Sequence, residues 1–144
     1  MTLGLSEIFG SVDAVDVSPE MVAVARKSLA HRPNVRFYVN NGMDLTLLSA
    51  ANFDFVFSAI VFQHIPSKPI IESYISEAYR VLLPGSFFKF QVQGCPIPPE
   101  DTSTWVGVGF TENELISVAK ATGFHIHSMT GAETQEFWIT LQKG

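Results

Sequence analysis

Val12-Asp13-Ala14-Val15-Asp16-Val17-Ser18-Pro19-Glu20-Met21, continued by Val22-Ala23-Val24-Ala25-Arg26, is the stretch that decides the fold of this chain. It reads as a short buried strand over Val12 to Val17 that ends on a carboxylate, followed at once by a helix. Ser18 suits the N-cap, where its hydroxyl oxygen accepts from an N–H of the first turn. Pro19 suits the first helical position, where its fixed φ fits and its missing N–H is no loss. Strand, acid and capped helix in direct succession open a βα unit.

Outward from that unit, apolar runs alternate with helical periods. Leu3 to Phe9 reads as the last turns of a helix closed by Gly10. In the helix after Pro19, Met21, Val24, Ala25, Ser28 and Leu29 form the expected packed face. Pro33-Asn34 breaks it, and Val35 to Val39 is the second strand. Asn40-Asn41-Gly42 is a turn signal. Phe53 to Ser58 is a near-continuous apolar run suited to a strand buried on both faces. Ile71, Tyr74, Ile75, Ala78, Tyr79 and Leu82 recur at helical spacing, so a helix is expected from Pro66 to Leu83, ended by Pro84-Gly85. Phe87 to Val92 is the next strand, and Gly94 to Gly109, with Pro96, Pro98 and Pro99, is a loop. Thr111-Glu112-Asn113-Glu114 is a capping box for a helix to about Thr122, closed by Gly123. His125 to Met129 and Glu136 to Leu141 read as an antiparallel hairpin around Gly131. The expectation is a three-layer α/β sandwich with a mostly parallel sheet holding all four earlier strands and a C-terminal hairpin.

Composition narrows the function classes. The chain has 144 residues, 47% hydrophobic and 16% charged, enough for one domain with a real core. No run approaches a membrane span of roughly 18 apolar residues, and no signal-peptide pattern opens the chain. The single cysteine, Cys95, excludes an internal disulfide and suits a reducing, cytoplasmic setting. A net charge of −5 argues against a nucleic-acid backbone as main partner. A small molecule or another protein is expected instead, and no metal-ligand spacing occurs.

Asp16 is the first candidate for chemistry. In doubly wound nucleotide-binding folds an acid at the tip of the second strand accepts from ribose hydroxyls, and a glycine-rich turn lies about 20 residues upstream. That turn is not among these residues. The residues nevertheless resemble the class I S-adenosylmethionine-dependent methyltransferases. The stretches that carry the likeness are Val15-Asp16-Val17-Ser18-Pro19-Glu20-Met21, Phe53-Asp54-Phe55-Val56-Phe57-Ser58 and Gln63-His64-Ile65, then Glu77-Ala78-Tyr79-Arg80-Val81-Leu82-Leu83-Pro84-Gly85 and Gly109-Phe110-Thr111. The resemblance implies a Rossmann-like methyltransferase fold and S-adenosyl-L-methionine as cofactor. It also implies methyl transfer to an N, O or C nucleophile of a small-molecule or other acceptor that the sequence does not identify. It places the Val12 strand second in the family's sheet, so residues 1–144 are expected to form a single, N-terminally incomplete domain lacking the first strand. Such a domain is expected to bind cofactor poorly and to offer its open sheet to a second copy.

The resemblance assigns Asp16 to the ribose, Val17 and Asn41 to the adenine, and the Gly42 N–H to the same ring. It assigns Ser58 and Ala59 to the methionine amine. On the residues alone, Val17 is equally a core valine, and Asn40-Asn41-Gly42 equally a plain turn. His64 is the candidate for catalysis, or else a residue that caps the next helix. Gln63, Gln91, Gln93 and Trp105 are the candidates for substrate contact. The glutamines could equally bond backbone, and the tryptophan could cover the core. Two other readings stand beside the methyltransferase: a nicotinamide dinucleotide oxidoreductase, which Asp16 also fits, and a non-catalytic module that keeps the fold for protein binding.

Overall fold

Alternation of apolar runs and helical periods does produce an α/β protein in the computed structural model, which describes residues 1–95 and 107–144. The expected loop residues Pro96, Pro98, Pro99 and Trp105 lie outside the described residues. The chain divides into two compact units, Met1–Asp44 and Leu45–Gly144.

The first unit runs α1 (Thr2–Ile8), β1 (Val12–Asp16), α2 (Pro19–Ser28), β2 (Val35–Val39). β1 and β2 pair in parallel, in register from Val12 opposite Val35 to Asp16 opposite Val39. Ser18 caps α2 as its chemistry requires, its Oγ accepting from the Met21 N–H at 3.2 Å. The Asn34 side-chain amide ties the end of α1 to the start of β2, donating to the carbonyls of Ser6 and Phe9 at 2.9 and 3.1 Å.

The second unit contains β3 (Phe53–Ser58), a short 3-10 turn (Phe62–His64), α3 (Lys68–Val81), β4 (Leu82–Val92), α4 (Glu112–Thr122), β5 (Phe124–Thr130) and β6 (Phe137–Lys143). Its sheet has the order β3-β4-β6-β5. β3 and β4 are parallel, while β6 is antiparallel to both β4 and β5. The C-terminal hairpin expected from the sequence is therefore present. α3 buries Ile71, Tyr74, Ile75, Ala78 and Val81. Together with Phe88, Phe90, Phe137 and Ile139 from the strands, most of these residues make the core of this unit. Each large apolar side chain so buried contributes about 1.5–3 kcal/mol. The capping box at Thr111 forms in both directions, and Gly123 closes α4 at φ 89°.

Several expectations need correction. The four early strands lie in two sheets, β1 with β2 and β3 with β4, because no strand among the described residues pairs with both β1 and β3. Gly10 does not close α1; Phe9 does, in an extended conformation. The buried residue of α2 is Val22, with Ala25 and Leu29 half-buried, whereas Met21 and Val24 are 58% exposed each. The helical stripe is thus rotated by one position from the expected one. Pro84-Gly85 does not end α3. The fully buried Leu82 leaves the helix early because it pairs with Phe53, and the next aligned pair is Phe55 with Phe87. Pro84 and Gly85 form a bulge between those pairs, with Gly85 at φ 80°.

Candidate functional site

In open α/β sheets ligands bind beyond the carboxyl ends of the strands, and the candidate residues gather there in each unit. Asp16 ends β1, and its carbonyl accepts from the Asn40 N–H at 3.0 Å, which sets the turn after β2 beside it. Its Oδ1 accepts from the Ser18 N–H at 2.9 Å. The residue is exposed. Val17 follows, 60% exposed, with its Cγ1 only 3.4 Å from where a Cβ on Gly42 would stand. Gly42 itself sits at φ 76°, a conformation that glycine adopts without strain. Just beyond, Glu20 is held below the ordinary carboxylate range by its hydrogen bonds at the helix start, first to backbone and then to Ser18.

The Asn40-Asn41-Gly42 turn is built by its own side chains. Asn41 Oδ1 accepts from the N–H groups of Met43 and Asp44 at 2.9 and 3.1 Å, and its Nδ2 donates to Asp44 Oδ2 at 2.9 Å. The Gly42 N–H donates to Asn40 Oδ1 at 3.2 Å. Both groups assigned to an adenine ring are thus engaged inside the turn. Asn40, expected from the sequence as part of the turn, helps to organise it by accepting the Gly42 N–H.

In the second unit Ser58 ends β3 opposite Phe90, and both Ser58 and Ala59 are half-buried. Ile60 then adopts φ 60° while 59% exposed. A β-branched residue in this region is strained, and such strain concentrates at functional loops. The sequence carried no signal for it. Phe62 anchors the following 3-10 turn, with its ring 5.7 Å from Tyr74 and 5.6 Å from Phe90. Gln63 and His64 are carried on the same turn. Gln63 Oε1 accepts from Gln91 Nε2 at 2.8 Å, and Gln63 Nε2 lies 3.3 Å from His64 Nε2. Gln91 is buried and its Nε2 also donates to the Gln135 carbonyl at 3.3 Å. Gln93, buried two residues on, accepts from the Phe110 N–H through its carbonyl at 2.8 Å. Its side-chain Oε1 is buried without a partner among the described residues. The structure therefore brings Gln63, His64 and Gln91 into one hydrogen-bonded cluster, with Gln93 next along β4. Trp105 lies outside the described residues. Close backbone approach fixes the cluster from the other side, since a Cβ on Gly107 would stand 2.2 Å from the Gln63 carbonyl oxygen.

Two residues from the stretch Glu77–Arg80 have a structural task. Arg80 makes two 2.8 Å bonds to Glu77 and one of 2.9 Å to the Leu45 carbonyl, while Glu77 accepts from the Leu45 N–H at 3.2 Å. The pair clamps the chain as it enters the second unit.

Parallel strands whose carboxyl ends carry an exposed acid and a glycine turn, with a β4-β6-β5 antiparallel edge, define a Rossmann-like fold of methyltransferase type. The chain belongs to the methyltransferase-domain family, whose model matches residues 1–90. Among curated proteins it is similar to malonyl-[acyl-carrier protein] O-methyltransferase of Enterobacter lignolyticus, with 31% identity over 94 residues. That alignment takes in 65% of this chain and 35% of the relative, so the chain spans about a third of the curated protein it matches. Among solved structures it is similar to a SAM-dependent methyltransferase from Methanosarcina mazei, with TM-score 0.77 and 22% identity over 99% of this chain and 86% of the other. The [4+2]-cyclase SpnF matches with TM-score 0.76 and 16% identity, over 98% of this chain and 70% of that one. These structural likenesses concern the fold.

Proposed function

We propose that residues 1–144 form one S-adenosylmethionine-dependent methyltransferase domain acting on a small-molecule acceptor. The observation that carries this reading is Asp16: an exposed carboxylate at the carboxyl tip of a parallel strand, its Oδ1 fixed by the Ser18 N–H. A vicinal ribose diol offers two O–H donors, and this carboxylate has acceptor capacity for both. Val17 presents an apolar surface beside it, suited to a nucleobase. Asn41 and Gly42 fit less well, because both of their groups are spent within the turn. In this reading Gly42 serves by bringing the turn close to Val17, and base recognition rests on apolar contact.

When bound, the cofactor supplies an activated methyl on a sulfonium, so the protein's task is alignment of the reactants rather than activation of the donor. That fits a cluster without a catalytic triad. In the second unit Ser58 and Ala59 occupy the strand end that the resemblance gives to the methionine amine. Gln63 and Gln91 offer amide groups to a polar acceptor, and His64 beside Gln63 is the candidate to take a proton from it. Gln93 would lend its Oε1, without a partner among the described residues, to a methyl acceptor that donates a hydrogen bond.

Calorimetric titration with S-adenosylmethionine, S-adenosylhomocysteine and NAD tests the reading. Binding of the first two in preference to NAD supports it. Preference for NAD would replace it with the oxidoreductase, and binding of none would leave the protein-binding module.

A further inference from the structure

The first unit carries a second feature that the carboxyl-end residues do not use. Between Glu20 and Asp44 the sequence has no acid, yet it holds Arg26, Lys27, Arg32 and Arg36, four of the nine Lys and Arg residues of a chain with net charge −5. Three of the four line one open cavity of about 540 Å³ between the end of α2 and β2, with Leu29, Phe37 and Tyr38 among the other lining residues. None of Asp16, Val17, Asn41 or Gly42 lines it.

The three guanidinium groups are held in different ways. Arg36 is fixed by two bonds to Asp13, 2.6 and 3.2 Å, and the Asp13 side chain is only 4% exposed. That contact raises the Arg36 pKa further above its ordinary value and compensates its charge, which leaves Arg26 and Arg32 as the groups open to a ligand. Arg26 donates at 2.7 Å to the neutral carbonyl of Phe37 and has no acidic partner among the described residues. Arg32 reaches the exposed Glu7 with Nη2 at 2.6 Å, but this pose leaves its Nε buried without an acceptor. A buried guanidinium N–H without a partner is costly, so Arg32 gains by turning to an anion in the cavity. Leu29 from the end of α2 supplies apolar lining beside the arginines, and β2 contributes its residues from alternating faces.

We propose that this cavity is a binding site for a small amphiphilic anion: a phosphate or carboxylate head on Arg26 and Arg32 and an apolar body against Leu29 and the adjoining β2 wall. Both head groups match the planar, forked donors of arginine. The site is separate from the one that Asp16 marks.

The test titrates the full chain with naphthyl phosphate, naphthoate, naphthol and inorganic phosphate by calorimetry. One of the two amphiphilic anions binds one-to-one, at least about tenfold tighter than naphthol and than inorganic phosphate, the worth of a single charge-assisted hydrogen bond. Comparison of naphthyl phosphate with naphthoate identifies the head group. The double variant Arg26→Gln/Arg32→Gln loses about tenfold or more in affinity for the preferred anion. Arg26→Gln alone, at an exposed residue, gives a measurable loss and keeps the test valid if the double variant does not fold. Neither anion exceeding naphthol, or full binding by folded Arg26→Gln, would overturn the proposal.

Discussion

Glu114→Gln is the perturbation whose outcome the structure specifies most fully. Glu114 Oε2 accepts from the Thr111 N–H at 2.8 Å and from the Thr111 hydroxyl at 3.0 Å, while Oε1 accepts from Lys68 at the start of α3. Lys68 Nζ also lies 5.0 Å from the centre of the Phe110 ring. One carboxylate thus caps α4 and links it to α3. Glutamine keeps an acceptor for the Thr111 N–H but loses the charge. The Lys68 and Glu114 side chains are 36% and 43% exposed, so solvent screens the pair and its loss costs about 0.2–1 kcal/mol. Glu114→Ala removes the cap bond as well and costs about 1 kcal/mol more. Lys68 first, and the Thr111 N–H next, hold the Glu114 carboxyl below its ordinary value of 4.5. A carboxyl with a depressed folded pKa contributes stability that is present above 4.5 and is lost as pH falls through the lower folded value. Urea midpoints followed by circular dichroism should therefore show wild type above Glu114→Gln at neutral pH. The two curves should converge below that value. Equal midpoints at neutral pH, or a gap that persists in acid, would refute the reasoning.

Other variants probe other parts of the account. Ile60→Gly relieves a left-handed β-branched residue, and its gain of about 1–2 kcal/mol in the folded state equals or exceeds glycine's entropy cost of roughly 0.5–1 kcal/mol. Its unfolding midpoint should hold or rise, and a clear fall would contradict the strain. Gln91→Leu deletes the buried donor shared by Gln63 and the Gln135 carbonyl and should lower stability by about 1–3 kcal/mol. A Gln91→Leu chain as stable as wild type in the same urea titration would show that the cluster around Gln63 is not held by that amide.

The sequence exposes what local chemistry determines. The Ser18 cap, the Thr111-Glu114 box and the Gly123 closure could be read directly, since each involves residues within a few positions of one another. The C-terminal hairpin was legible from two apolar runs about a turn. Distant partners were not. The Leu82 pairing with Phe53 ends α3 before the Pro84-Gly85 signal, and nothing local to Leu82 announces it. The α2 stripe shows the same limit: Met21-Val24 and Val22-Ala25 are both acceptable helical faces, and only packing on β1 and β2 selects Val22. At the candidate site, alternation marked Gln91 and Gln93, but the bond from Gln91 to Gln63 spans 28 positions and needs the fold. Asn41 was readable as a turn residue or a ligand contact, and its bonds to Met43 and Asp44 spend it on the turn.

The central claim, that Asp16 holds the ribose of S-adenosylmethionine, is tested most directly by calorimetric titration of the cofactor into wild type and Asp16→Ala. Losing charge-assisted hydrogen bonds to the diol should weaken binding by about 1.5–3 kcal/mol, roughly ten- to 150-fold. Asp16→Asn, which keeps an acceptor for the Ser18 N–H, separates that loss from damage to the turn and should still bind more weakly than wild type. Unchanged affinity in both variants would contradict the account.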